Sequence, residues 1–281
     1  MDFKKLSSDQ REAFHRDGFL VVPGALDHHF VERLVEAGDE FAAPFLGKFE
    51  VLDKPWYNDL DFRPGLLQKK AFLDLVSYAP TVSLVVQLLS ENIHLHSTAL
   101  TYKRPENPSF KAFRRGWHRD LRLPRDLGHV NVPMAGIKIC YCLSNFDVAD
   151  SGMTILARGS HRRDEPLVIS KDGIDPEDFE VCDLNLKAGD AVLFQNGIFH
   201  TATPNRTDRV AKRIIYGYAY RWLKQEIYLD PPDAQLLRQA DPVTRQLIGG
   251  YRDIDTRPWA LLEWTKKHDV RSTPVPWYIE I

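Results

Sequence analysis

Residues Ile93–Lys103 read IHLHSTALTYK, and at this stretch the sequence changes from a helical period to a period of two. The run is rich in apolar, β-branched and aromatic residues, which fit the pleated surface of a strand. Runs of the same kind follow, separated by Gly, Pro, Asn and Asp, at 136–143, 153–157, 191–194 and 212–222. Several short strands without long intervening helices predict an antiparallel sandwich or barrel rather than a sheet of alternating βα units.

The part of the chain before these strands, residues 1–92, is predicted to be mostly helical. Ser7 and Gln10 have the spacing of a capping box at the start of a first helix. Asp27 is a candidate N-cap for a second helix, whose apolar residues recur at three- and four-residue steps. A third helical stretch, 73–89, is predicted to be interrupted at Ala79-Pro80.

The part after the strands, residues 223–281, is predicted to be helical and aromatic. Its helical stretch at 233–249 is expected to break near Pro242. Within the strand region, the polar segment 162–187 is interpreted as a loop or lid. No change of composition marks a second domain, so the sequence predicts one domain over 1–281 whose barrel core spans about 93–222.

Composition excludes several classes of protein. Lys plus Arg (37) nearly balances Asp plus Glu (39), which leaves a net charge of −2 and no general attraction for nucleic acid or anionic membranes. The longest apolar runs are shorter than the roughly 20 residues that span a bilayer. Three cysteines are too few for a disulfide framework, and the opening residues lack the apolar core of a secretory signal. We therefore expect a cytoplasmic protein with no nucleic-acid or membrane partner; the oligomeric state stays open.

The segment RRGWHRD at 114–120 carries the strongest chemical signal. Residues two apart on a strand point to one face, so His118 and Asp120 direct an imidazole and a carboxylate to the same point. Two histidines and one carboxylate form the facial triad that holds iron(II) and leaves coordination positions open. His200, which ends the run DAVLFQNGIFH, is the best candidate for the second histidine. Alone, the His-x-Asp pair fits a surface histidine beside a solvated aspartate equally well.

Two other pairs also resemble metal ligands. His94 and His96 share one strand face, but no carboxylate accompanies them nearby, so we interpret them as packed or barrel-lining residues. Cys140 and Cys142 lack a second cysteine pair and are interpreted as small core residues.

Four motifs in order give the chain a family resemblance. They are the helix and strand at 6–23, YKRP at 102–105, SGMTILARGSH at 151–161, and the run from 200 to 218 that opens HTATPNRTDR. Together with the His-x-Asp pair, they resemble the phytanoyl-CoA dioxygenase-like branch of the iron(II)/2-oxoglutarate-dependent oxygenases. The resemblance implies a mainly β fold with flanking α-helices, a double-stranded β-helix (a jelly-roll, cupin-like barrel). It also implies Fe(II) held by His118, Asp120 and His200, with 2-oxoglutarate and O2 as co-substrates.

The residue that would bind 2-oxoglutarate is where this chain departs from the family. The family has a basic residue on the strand after the second histidine, and the matching position here is Ala211. Arg213 lies two residues further on the same strand face, and its guanidinium suits a carboxylate. Arg209 is the alternative. Lys138 would also contact 2-oxoglutarate or the substrate if its strand face points into the barrel.

The implied reaction is hydroxylation of a small organic molecule with release of succinate and CO2. A natural-product intermediate, a lipid-like acid or an amino-acid derivative would fit. Asp120 argues against halogenation, because halogenating relatives have a small non-ligating residue there; desaturation, epoxidation and cyclisation stay open. The segment 121–125 matches neither the phytanoyl-CoA hydroxylases proper nor the ectoine hydroxylases, so neither activity is transferred.

Candidate substrate residues combine aromatic rings with cations, which would suit an anionic molecule. They are Tyr102, Arg122, His129, Tyr218 and Arg221. Two other functions remain open at this point. One is a jelly-roll metalloenzyme that does not use 2-oxoglutarate, and the other is a non-catalytic binding module whose fold is stabilised by a structural metal.

Overall fold

The computed structural model describes residues 3–46, 59–106, 116–120, 134–163, 165–171, 173–226, 234–249 and 259–270. Within them the helices are α1 Ser8–Asp17, α2 His28–Leu46, α3 Lys70–Val76, α4 Ala79–Leu88, α5 Ala234–Gln239, α6 Pro242–Leu247 and α7 Trp259–Lys267. The strands are β1 Phe19–Val22, β2 Asp59–Phe62, β3 Ile93–Lys103, β4 Gly136–Cys142, β5 Thr154–Ala157, β6 Val181–Cys182, β7 Ala191–Gln195, β8 His200–Ala202 and β9 Ala211–Tyr220.

The strands form two antiparallel sheets. The larger sheet has the order β1-β7-β4-β9-β3-β2, and the smaller has the order β6-β5-β8. This mainly β, jelly-roll arrangement with flanking helices confirms the fold expected from the sequence. The strand predicted over 93–103 has those bounds, whereas β9 begins one residue earlier than predicted and ends at Tyr220.

The inner core lies between the two sheets. Cys140, Cys142 and Phe194 of the larger sheet belong to the same buried cluster as Leu156 of the smaller one. All three cysteines of the chain are buried and unpaired, which agrees with the interpretation of Cys140 and Cys142 as small core residues.

The outer face of the larger sheet is covered by helices. Tyr216 donates a hydrogen bond from its hydroxyl to the Phe72 carbonyl at 2.8 Å, which ties β9 to α3. The stretch Lys70–Leu88 is long and apolar enough to cross a membrane by length and composition, but 78% of it is buried inside the protein. Its apolar character is therefore accounted for by packing within the fold.

The helix boundaries follow local chemistry. Ser7 and Gln10 form the predicted capping box, with each side chain accepting from the other residue's backbone N–H. Asp27 accepts from the Phe30 N–H at 2.7 Å and caps α2. Pro80 and Pro242 stand in the first turns of α4 and α6, where a missing N–H costs nothing. The predicted interruptions at these prolines are therefore also the starts of new helices.

Gly18, directly after α1, provides a stability prediction. Its φ is +87°, and a Cβ there would lie 2.5 Å from His161 Nδ1 and 2.9 Å from Ile198 Cδ1. Gly24 also has a positive φ, +55°, but a Cβ there meets no described atom within 4 Å. Alanine costs about 1–2 kcal/mol in left-handed backbone at either site. Only Gly18→Ala adds overpacking, of about 1–3 kcal/mol.

We therefore expect Gly18→Ala to lower the free energy of unfolding in urea by clearly more than Gly24→Ala does. Equal losses in the two variants would contradict the close packing of α1 against His161 and Ile198.

Candidate metal centre

His118, Asp120 and His200 come together at one end of the space between the sheets. One potential ligand atom from each residue lies within 4.8 Å of the other two. Asp120 Oδ1 is 3.9 Å from His118 Nε2 and 3.7 Å from His200 Nε2. No other group of three or more His, Cys, Asp or Glu side chains in the described ranges has this geometry. The structure thus brings together the three residues that the sequence singles out.

Backbone hydrogen bonds hold the two halves of this cluster in register. His118 and His200 form an antiparallel bridge in which each N–H donates to the other's carbonyl at 3.0 Å. The Asp120 N–H donates to the Asn196 carbonyl at 3.1 Å. The His-x-Asp segment is therefore placed as an extra strand beside the start of β8, and strand alternation turns both of its ligands to one side.

Trp117 and Arg119, the residues on either side of His118, anchor the same segment on its other side. Trp117 donates from Nε1 to Asp175 at 3.2 Å. The Arg119 guanidinium donates to the Ser160 carbonyl at 2.8 Å and stacks 4.0 Å above the Phe199 ring. Neither side chain points into the cluster.

Both histidines have one ring nitrogen fixed by a backbone carbonyl. His118 Nδ1 is 2.8 Å from the Gly116 carbonyl, and His200 Nδ1 is 3.0 Å from the Ile198 carbonyl. A carbonyl only accepts, so each Nδ1 carries the proton and each Nε2 presents a lone pair. Such partners orient histidines that bind metals. Burial lowers the pKa of His200 to about 4, so its ring is neutral at pH 7.

Asp120 is held by an ion pair. Lys138 on β4 places its Nζ 2.7 Å from Asp120 Oδ1, and the two side chains are only 16% and 14% exposed. Burial by itself raises the pKa of the Asp120 carboxyl, but the neighbouring His200 and Lys138 outweigh this effect and bring that pKa below its ordinary value. The group is therefore a carboxylate at neutral pH.

The donor set fits a divalent transition metal. Two imidazole nitrogens with free lone pairs and one carboxylate form a triad that leaves part of the coordination sphere open. Asp120 Oδ2 is buried and has no hydrogen-bond partner among the described residues. Both carboxylate oxygens are thus turned inward, as a ligand at a metal site requires.

Arg213 lies on β9, opposite Cys142 of β4 and Thr101 of β3, and is 5% exposed. Its guanidinium donates to the Gly152 carbonyl, while its buried Nε has no partner among the described atoms. No described carboxylate lies within ion-pair distance of it. Buried charges in proteins are normally paired, so this cation is suited to a bound anion.

The alternative arginine has a different environment. The Arg209 side chain is 51% exposed and forms an ion pair with Asp147 at 3.0 Å on the surface. Lys138, which is predicted to contact 2-oxoglutarate or the substrate, contacts Asp120 and lines the cleft beside the triad. Of the two candidate arginines, Arg213 is thus the buried one.

The structure does not support substrate contacts by the rings of Tyr102 and Tyr218. The Tyr102 hydroxyl donates to Asp39 on α2, and the Tyr218 hydroxyl donates to the Val76 carbonyl of α3, both at 2.7 Å. Both rings therefore lie on the helix-covered face of the large sheet. Arg221 follows β9 and is half-buried, whereas Arg122 and His129 lie outside the described residues.

A cleft beside the triad contains residues that the sequence analysis does not assign to the site. Asn196, His96 and Glu226 line it together with Asp120 and Lys138. His96 is one of the paired histidines interpreted above as barrel-lining, and its ring is 6.2 Å from that of His94. Glu226 and Asn196 stand in polar turns and have no motif that could have identified them.

Comparisons with known proteins identify a family and a shared fold. The profile of the family described as phytanoyl-CoA dioxygenase (PhyH) matches residues 14–214. No curated protein sequence matches the chain.

Solved structures match over most of the chain. HygX from Streptomyces hygroscopicus, with nickel and 2-oxoglutarate bound, is 16% identical, with a TM-score of 0.61 over 79% of this chain and 90% of its own. The epimerase SnoN, in complex with Fe3+, alpha ketoglutarate and nogalamycin RO, is 15% identical, with a TM-score of 0.58 over 75% and 82%. EctD from S. alaskensis, with 2-oxoglutarate and 5-hydroxyectoine, is 19% identical, with a TM-score of 0.58 over 80% and 79%. At these identities the likeness shows a shared fold.

Proposed function

The chain belongs to the phytanoyl-CoA dioxygenase family, and from that membership we propose that it is an iron(II)- and 2-oxoglutarate-dependent oxygenase that hydroxylates a small organic molecule. One oxygen atom of O2 enters the product and the other enters succinate, with CO2 released. The proposal is carried by one observation, the convergence of His118, Asp120 and His200 on a single point. Similar folds that contain a metal and 2-oxoglutarate support it.

The protein's part in metal binding is orientation. The Gly116 and Ile198 carbonyls fix the two rings so that His118 and His200 present Nε2. Lys138 holds Asp120 ionised and in position. When bound there, iron(II) supplies the redox chemistry that couples decarboxylation of 2-oxoglutarate to oxidation of the substrate.

Arg213 is the residue we propose for the far carboxylate of 2-oxoglutarate. Its charge is buried without a described carboxylate, and a planar guanidinium can bind a carboxylate through two parallel hydrogen bonds. The buried cluster of Cys140, Cys142 and Phe194 surrounds this face of the sheet and keeps bulk water from the bound acid. Exclusion of water strengthens the charge pair.

Hydroxylation is the reaction we propose; the carboxylate at position 120 retains three protein ligands and so argues against halogenation. The relatives of known structure include the epimerase SnoN, so the same fold also supports other outcomes. We further propose that the protein acts in the cytoplasm on a small molecule, without nucleic-acid or membrane partners. Its balanced charge and its three unpaired cysteines support this.

Binding of 2-oxoglutarate to the anaerobic, iron(II)-loaded protein tests the proposal. We expect a visible charge-transfer band on adding 2-oxoglutarate, and formation of succinate once O2 is admitted. If iron is demonstrably bound and no band forms, a metalloenzyme that does not use 2-oxoglutarate becomes the better interpretation.

Lys138→Met tests the role of the ion pair with Asp120. Removing one partner of a buried pair leaves the other charge without compensation, which costs on the order of 3 kcal/mol. We expect the metal-free variant to unfold at a lower temperature, and Mn2+ to restore more stability to it than to the wild type, because the ion replaces the lost positive charge. Thermal unfolding with and without Mn2+ measures both effects.

Lys212→Met is the matched control, since Lys212 pairs with the half-exposed Asp39 at 2.6 Å. It should cost less stability and should not change the response to Mn2+. A Lys138→Met protein that gains no more from Mn2+ than the wild type would contradict the assignment.

A further inference from the structure

The cleft beside the triad has a consistent hydrogen-bonding character. Apart from the metal ligand Asp120, two buried side-chain atoms at its wall accept hydrogen bonds but have no hydrogen-bond partner among the described residues: Asn196 Oδ1 and Glu226 Oε2. An unsatisfied buried polar atom costs about 1–3 kcal/mol, so such atoms indicate a missing partner. Both are acceptors, and the partner they lack is a donor.

Glu226 is fixed in the cleft rather than free in solvent. Its N–H donates to the His96 carbonyl at 3.1 Å, and the neighbouring Gln225 donates from Nε2 to the Leu95 carbonyl at 2.9 Å. His96 stands at the bulge of β3 between Leu95 and Ser97. Bulges beside functional sites redirect a side chain, and this one brings His96 Nδ1 to 3.7 Å from Glu226 Oε1.

The charge of Glu226 is only partly balanced by its neighbours. Burial lowers the pKa of His96, so that ring is neutral at pH 7. Arg63 lies 3.6 Å from Glu226 Oε2 but is closer to Asp61, at 2.6 Å, and thus shares its charge between two carboxylates. Lys138 is engaged by Asp120. Beside the triad, the cleft therefore presents a carboxylate and a neutral amide oxygen.

We propose that this cleft binds the substrate and selects a molecule that carries hydroxyl and amino groups, with an ammonium on Glu226 and a hydroxyl on Asn196. This inference rests on the proposed function, since it assigns the substrate class of that same site. It replaces the anionic substrate that the sequence suggests: a carboxylate would bring further acceptors, which cannot satisfy the oxygens of Asn196 and Glu226, and its charge would face that of Glu226.

Three sugars with the same pyranose ring provide the test: D-glucosamine, D-glucose and D-glucuronate. Their binding is measured by saturation-transfer difference NMR on the full chain, both metal-free and loaded with Zn2+ and 2-oxoglutarate. We expect glucosamine to bind at least about tenfold more tightly than glucuronate, with glucose between them; tenfold corresponds to about 1.4 kcal/mol.

Two variants assign the preference to residues. Glu226→Gln should reduce glucosamine binding to the level of glucose, and Asn196→Ala should weaken glucosamine and glucose alike. Glu40→Gln is the control, because Glu40 is exposed on α2 and pairs with Lys69 at 2.7 Å. Circular dichroism verifies that each variant is folded.

The proposal is overturned if glucuronate binds as well as glucosamine, if no sugar binds, or if Glu226→Gln keeps the preference. The 2-oxoglutarate band of the iron(II)-loaded protein is recorded on the same preparations. If the 2-oxoglutarate band is normal but the sugar preference is not the expected one, only the proposed substrate class is wrong. If the sugar preference is as expected but no band forms, only the proposed reaction is wrong.

Discussion

Asp120→Asn is expected to abolish the 2-oxoglutarate charge-transfer band and succinate formation, and to weaken iron(II) binding by more than 100-fold. Loss of an outer-shell partner already costs about 10–100-fold in metal affinity, and Asp120 is the sole carboxylate of the cluster. The amide has nearly the same size but no charge to balance a dication or Lys138. Chelator competition measures the affinity, and the band reports on the co-substrate.

The matched control is Asp147→Asn, since Asp147 also pairs with a cation, Arg209, but is exposed. It should leave iron affinity and the band unchanged. Asp120→Asn also separates an enzyme from a binding module clipped by a metal. A module would lose its fold with its metal, whereas an enzyme should keep its circular dichroism spectrum and lose only turnover. If Asp120→Asn bound iron(II) as tightly as the wild type, His118, Asp120 and His200 could not be the iron ligands.

The sheet and the triad could be predicted because both signals are local in sequence. The strand over 93–103 follows from a period of two and β-branched residues, and β3 has those bounds. His118 and Asp120 share a face because they are two apart on an extended segment. His200 is predicted from its place at the end of a strand-like run and from the family resemblance, and the antiparallel bridge to His118 is what brings it there.

The faces of the strands were harder to predict. Periodicity tells which residues lie together, but not which side of the sheet the helices cover. Arg213 and Tyr218 are separated by an odd number of positions on β9, so only one of them can face the inner core. The ring of Tyr218 therefore cannot share the inner face with the side chain of Arg213. Tyr218 packs against α3, and Arg213 is the one that lies inside.

Contacts between distant segments leave no trace in the sequence. Lys138 pairs with Asp120 across 18 positions, and that pairing depends on how β4 crosses the His-x-Asp segment. Glu226 enters the cleft only because its turn is hydrogen-bonded to the bulge of β3. A polar residue in a turn is usually a solvated surface residue, so composition alone gives no reason to select it.

Arg213→Met is expected to weaken 2-oxoglutarate binding by a factor on the order of 10²–10³ while leaving iron(II) affinity unchanged. Truncating one partner of a buried, hydrogen-bonded charge pair costs about 2–5 kcal/mol. Arg213→Lys keeps the charge but not the planar fork, so it should bind with intermediate affinity. Titration of the band with 2-oxoglutarate gives the affinities. If Arg209→Met loses the band and Arg213→Met retains it, the assignment moves to Arg209.

The stability of Arg213→Met should not fall, although its affinity for 2-oxoglutarate does. In the protein without 2-oxoglutarate, a buried guanidinium without a described carboxylate opposes folding, and replacing a buried charge by an apolar side chain of similar volume is often neutral or stabilising. We expect the variant to unfold in urea at the same concentration as the wild type or a higher one. Added 2-oxoglutarate should stabilise only the wild type. A residue whose removal costs binding but not stability is retained for its ligand, whereas a large loss of stability would indicate that Arg213 supports the fold through its bond to Gly152.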